Sequence, residues 1–157
     1  MTNFSETKQK AIDEKLEQLG QVKAGIILPE QLAARITLRR IDWVQANLES
    51  ALEKYKGLTV EEAAYRIIYF EHMRINPTGS KMTRVSPTKI IVDSYNFCPY
   101  LEACKQLGLN TKFICKEVGE PSVQEMAKQI HPRIKFSIDY NTIRPHAQFC
   151  REYFEFV

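Results

Sequence analysis

Between Pro29 and Gly57 the apolar residues Leu32, Ile36, Val44, Leu48, Leu52 and Tyr55 recur at three- and four-residue multiples, with neither proline nor glycine inside the segment. That spacing stacks them on one stripe of a helix, with Pro29 suited to a first-turn position and Gly57 ending the pattern. At about 1.5 Å per residue such a helix is roughly 40 Å long, more than the width of a small domain. The rest of the chain has to pack along it, and a bend is expected near Arg39-Arg40.

The flanking segments are helical as well. Ser5 to Gly20 is charged, with Ile12, Leu16 and Leu19 at helical spacing, which predicts a peripheral helix within residues 1–28. Thr59-Val-Glu-Glu62 matches a capping box and predicts a third helix through Ala63, Ile67, Ile68 and Phe70. It should end before the turn cluster Asn76-Pro77-Thr78-Gly79, closing a helical part over residues 29–80.

After residue 80 β-branched and aromatic residues gather. Strands are expected in the regions 83–95, 133–140 and 147–156, the first centred on Lys89 to Tyr95. Ile134, Phe136, Ile138 and Tyr140 alternate with polar residues, as do Cys150, Glu152, Phe154 and Phe156, giving the two-residue period of half-buried strands. Between them Cys98-Pro99 opens a helix that closes at Gly108, a short helical turn follows around Thr111 to Lys116, and Ser122-Val-Gln-Glu125 matches a second capping box. The expected fold is α+β: one domain over residues 1–157, with a small antiparallel sheet packed on helices in its cysteine-bearing part, residues 81–157.

A formal charge of +3 over 157 residues is too small and too dispersed to argue for nucleic acid as a partner. No apolar run approaches the ~18 residues of a membrane span, and the polar start Met-Thr-Asn-Phe-Ser-Glu-Thr-Lys has no signal-peptide core. These features predict a cytoplasmic protein without a membrane partner, and in that compartment the four cysteines are expected as thiols. The long helix bearing Trp43, with the charged helix before it, offers a contact for a homodimer.

The thiols carry the chemistry this sequence has to offer. Cys98 falls at a helix start, where unpaired backbone N–H groups and the helix dipole favour a thiolate. Cys104 shares a stripe with Tyr100, Leu101 and Leu107 and reads as a small core residue. Cys115 and Cys150 read equally as packed or reactive. No C-x-x-C pair is present, yet Cys98, Cys115 and Cys150, from separate elements, form a candidate set for zinc or an iron–sulfur cluster, with His146 four residues before Cys150. Arg144, after Asn141, stands in a turn where its guanidinium would clamp a ligand carboxylate; ordinary hairpin chemistry is the other reading.

At Asn96-Phe-Cys98-Pro99, Cys115 and Cys150-Arg-Glu-Tyr-Phe154 the chain resembles the family named for L-2-amino-thiazoline-4-carboxylic acid hydrolase, over roughly residues 85–157. The arrangement also looks like effector domains related to vinyl-4-reductase, in which spaced cysteines hold zinc or an iron–sulfur cluster. The Gly-Asp pair often found before the last cysteine of such domains is replaced by Ala147-Gln148-Phe149. The resemblance implies hydrolytic opening of a small cyclic amidine or a related carbon–nitrogen bond. In that scheme Cys98 is the nucleophile, His146 or Glu152 the proton carrier, Asn96 an oxyanion donor, and Arg144 with Asn141 the holder of a small-molecule ligand. The rivals are a non-catalytic metal or small-ligand module using Cys98, Cys115 and Cys150, and a helical oligomerisation protein whose cysteines are core.

Overall fold

Helix α2, Pro29–Lys54, runs unbroken with Pro29 in its first turn and serves both hydrophobic cores. The structure, a computed structural model, describes residues 4–157; residues 1–3, the start of the polar N-terminal segment, lie outside the described residues. Helix α1 (Phe4–Lys23) packs chiefly on α4 (Pro99–Leu107). Leu19, Ile27, Leu32, Ile36, Ala103, Cys104, Ile114 and Val118 form one core there. The other core lies between a sheet and α2, α3 (Val60–Arg66) and α6 (Glu120–Ile130), around Val44, Tyr65, Ile68, Met126, Phe136 and Phe154.

Helix α3 passes directly into a π-helical turn, Ile67–His72, and α5 (Thr111–Ile114) reaches α6 through a second one, Cys115–Gly119. Neither turn follows from the 3.6-residue pattern. Both expected capping boxes are absent, for different reasons. Thr59 does precede α3, but its hydroxyl accepts from Arg84 Nη2 at 2.8 Å while Glu62 pairs with Arg66 at 3.1 Å. Ser122 lies inside α6, because the helix begins at Glu120; its hydroxyl donates back to the Gly119 carbonyl at 2.8 Å and Glu125 pairs with Lys128.

The architecture is α+β. Strands β1 (Ser80–Ser86), β2 (Lys89–Ser94), β3 (Ile134–Asp139) and β4 (Cys150–Phe156) form one antiparallel sheet in the order β1-β2-β4-β3. Strand β1 is an edge strand of mostly exposed polar residues, so it carries little apolar alternation to betray it. It is fastened by Arg84, whose Nη1 donates at 2.8 Å to Glu61, a carboxylate buried at the start of α3.

Register sets a gradient along the face of the sheet that meets the helices. Ile90, Phe154 and Phe136 sit side by side at one end; Val92, Glu152 and Ile138 come next; Ser80, Ser94 and Cys150 stand at the other end. The apolar end is packed by Tyr65 and Tyr69, with ring centroids 5.9 and 5.8 Å from Phe154. The polar end opens toward Cys98. Phe154 is fully buried at the centre of this core; Phe154→Ala should therefore destabilise the protein by about 3–5 kcal/mol in urea unfolding, through lost burial and an unfilled cavity.

Candidate functional site

The loop that leaves β2 places Cys98 at the N-cap of α4, with extended backbone, Pro99 in the first turn and Gly108 ending the helix at a φ of 67°. A left-handed closure of this kind suits glycine, which has no Cβ to clash. The backbone N–H groups of Leu101 and Tyr100 face the Cys98 sulfur and favour its anion, although no full capping hydrogen bond forms. Cys98 retains some exposed surface, but burial of its thiol dominates and raises the pKa above the ordinary range. The Leu101 N–H and the Arg144 charge oppose that rise. The helix start thus biases Cys98 toward ionisation without populating the thiolate, a correction to the expectation of a depressed pKa.

The other thiols lie near enough to interact electrostatically. Cys115, in the π-helical turn, is raised by burial and further by Cys98, Cys150 and Cys104. Cys104, only 1% exposed in the α1/α4 core, is pushed up to about 11 by burial and then by Cys98, with the Thr111 hydroxyl opposing. Three separate elements therefore bring Cys98, Cys115 and Cys150 into one neighbourhood. Among the described residues, however, no group of three His, Cys, Asp or Glu side chains is arranged to hold a metal ion. The three thiols thus share a neighbourhood without forming an assembled ligand set for zinc or an iron–sulfur cluster.

Arg144 ties this neighbourhood together. Its backbone N–H and its Nε donate to Cys150 Sγ at 3.4 and 3.3 Å, and its Nη1 donates to the Asn96 carbonyl at 2.6 Å. One guanidinium thus fixes the end of β4 to the loop before Cys98. With Nε and Nη1 engaged, Arg144 is a structural clamp rather than the open carboxylate holder expected from the sequence. Asn96 differs from expectation too: its Nδ2 donates to the Phe97 carbonyl at 2.9 Å, while its Oδ1 is buried without a partner. What Asn96 presents is an acceptor.

Glu152 lies on the helix-facing side of β4, and its Oε2 is buried with no hydrogen-bond partner. Burial raises its pKa to about 8, so it is largely protonated at neutral pH. Asn141 and His146 are exposed in the β3–β4 loop. The Asn141 backbone N–H donates to Asp139 Oδ1 at 2.9 Å in a side-chain-closed turn. Among the described residues no hydrogen bond joins either side chain to a cysteine, so the structure does not assemble them with Cys98.

Two residues the sequence reading passed over belong here. Arg40 of α2 is buried, and the buried hydroxyl of Tyr100 of α4 lies beside its guanidinium without a fully aligned hydrogen bond. Tyr100 is close enough to Cys98 and Cys115 for their charges to interact, and burial pushes its pKa up to about 12 despite Arg40 nearby. The signal for Arg40 lay in the α2 stripe, since it stands four residues from both Ile36 and Val44. Set against protein-family models, curated proteins and solved structures, the chain gives no significant match. No helix among the described residues is long and apolar enough to cross a membrane.

Two measurements follow from these proton affinities. Alkylation of Cys98 by iodoacetamide, followed by peptide mass spectrometry, should be slower at pH 7 than for an unhindered thiol. Its rate should still be rising above pH 9, and Arg144→Met should slow it further. Glu152 binds its proton more tightly folded than unfolded, so its stability contribution is fully present below its ordinary value of 4.5 and lost as pH rises toward about 8. Glu152→Gln should flatten the fall in stability across that window, read by denaturant midpoints at each pH.

Proposed function

We propose that this chain is a thiol-dependent hydrolase of a small cyclic amidine, with Cys98 as the nucleophile. The observation that carries the reading is the placement of Cys98 at the start of α4, facing the Leu101 and Tyr100 N–H groups and within reach of the Arg144 charge. These groups all act to favour the Cys98 anion against the burial that opposes it. The unpartnered Asn96 Oδ1, two residues earlier, suits the N–H groups that an amidine presents.

Among the described residues no side chain is hydrogen-bonded to Cys98, and in this reading the substrate itself takes the thiol proton. The thiol proton passes to the ring nitrogen of the amidine, itself a base, as sulfur bonds to the amidine carbon. The carbon–nitrogen bond of the ring then breaks, leaving the protonated nitrogen on the opened chain and the carbon on sulfur. Water adds to that carbon, the carbon–sulfur bond breaks, and the thiol recovers its proton. The sum is one water added across one carbon–nitrogen bond. Keeping the thiol protonated until a basic substrate arrives also limits its reaction with oxidants and adventitious electrophiles.

A second reading, a small-ligand binding module without turnover, is favoured by the raised pKa of Cys98 and Cys115. Incubation with 2-amino-thiazoline-4-carboxylate separates the two. The hydrolase should yield a product heavier by one water, with formation lost in Cys98→Ser and retained in Cys104→Ser. Turnover that survives Cys98→Ser would remove Cys98 as nucleophile, and saturable binding with no mass change would select the binding module.

A further inference from the structure

The buried stripe of α2 passes from Leu32 and Ile36 to Val44, and the position between the two cores is an arginine. Arg40 is 8% exposed. Its Nη1 lies 3.4 Å from His72 Nδ1, its Nε has no partner, and among the described residues no carboxylate pairs with it. His72 is held down to about 4 by burial and then by Arg40, so it is neutral and supplies no countercharge. Tyr100 faces the same guanidinium, its buried hydroxyl close enough to interact with Arg40 but not aligned as a full hydrogen bond. Lys15 of α1 completes the group, its Nζ 4.5 Å from the centre of the Tyr100 ring and 2.8 Å from Gln18 Oε1.

Removing a guanidinium from water without an anion is unfavourable, and an apolar residue at this position would continue the stripe into both cores. The arrangement makes sense when the missing anion comes from outside the chain. A guanidinium, a phenol and an ammonium together match a carboxylate, with the arginine fork and the phenol donating to its oxygens. The position along the chain fits the ligand proposed above. Asn96, with its free acceptor, lies two residues before Cys98, and Tyr100 lies two residues after it. Arg144 is already held by Cys150 and Asn96, so the anion-binding role falls to Arg40.

We infer that Arg40, Tyr100 and Lys15 bind the carboxylate of the ring whose amidine carbon meets Cys98. The identity of the ring rests on the hydrolase reading; the anion site does not. In this arrangement the amidine is held toward Asn96, the carboxylate toward α1 and α2, and the reacting carbon between them at the sulfur. Lys15, lowered to about 8 chiefly by burial, adds its positive charge at neutral pH.

Trp43, the single tryptophan, reports on the site, because its ring centroid lies 5.0 Å from that of His72, which contacts Arg40. Fluorescence titrations would use 2-amino-thiazoline-4-carboxylate, 2-amino-thiazoline without the carboxylate, pyroglutamate and inorganic phosphate. The wild type should bind the first about tenfold or more tighter than the second, a gap typical of one charge-assisted pair. Arg40→Met should erase that gap, and Tyr100→Phe should narrow it. Arg40→Met should also melt no lower than the wild type without ligand, since it removes an uncompensated buried charge. A large fall in its melting temperature would make Arg40 a structural residue and overturn the inference, as would carboxylate binding undiminished in that variant or binding of phosphate alone. Pyroglutamate separates the two proposals: Arg40-dependent binding of pyroglutamate without amidine turnover keeps the anion site and ends the hydrolase reading. Turnover that ignores both the carboxylate and Arg40 does the reverse.

Discussion

One helix serves two cores, and the charge between them governs what the interior can do. Leu32 and Ile36 of α2 meet α1 and α4, while Val44 meets the sheet and α6. Were Arg40 a leucine, the two cores would join into a single apolar interior with no place for a polar ligand. With arginine there, the junction carries positive charge, and Tyr100 and His72 face it. The sheet contributes from the other side, since its inner face changes from Phe154 and Ile90 to Ser94 and Cys150 toward the same region. Polar groups are thus confined to one zone between two cores, and the stability of the fold is concentrated elsewhere.

Electrostatics inside that zone favour neutral acids and unpaired cations. Burial raises the pKa of Cys98, Cys115, Tyr100 and Glu152, while Arg40 is buried with no carboxylate partner among the described residues. The two π-helical turns lie beside this zone, one ending at His72 and the other beginning at Cys115. Such turns displace side chains from the regular helical stripe and are frequent at functional sites.

The parts of the fold legible in the sequence were those with strong periodicity or an explicit stop signal. The Pro29 start, the Cys98-Pro99 opening and the Gly108 closure each follow from a single backbone constraint. The alternation of Ile134 to Asp139 and of Cys150 to Phe156 gave both strands. The capping boxes failed because a four-residue match cannot reveal that Arg84 takes Thr59, or that α6 begins two residues before Ser122. The expected region 83–95 took in only the second half of β1 and did not separate it from β2, because an edge strand facing water needs no apolar face; the π-helical turns were missed because they interrupt the very period used to find helices.

Site residues divided in the same way. Cys98 was visible because its placement rests on the local backbone, a helix start marked by proline. Arg144 was visible as a cation in a turn, but its partners come from Asn96 and Cys150, and only tertiary structure reveals that its Nε and Nη1 are engaged. His146 and Asn141 looked chemically suitable, yet the loop points them to solvent. Arg40 was the informative residue in plain view. Arg39 and Arg40 look alike on a charged helix, but only Arg40 falls on the four-residue stripe, and Arg39 meets Glu14 on the surface. A charge at a core position contradicts the binary pattern around it, and such contradictions mark the places where a sequence gives up stability for a function.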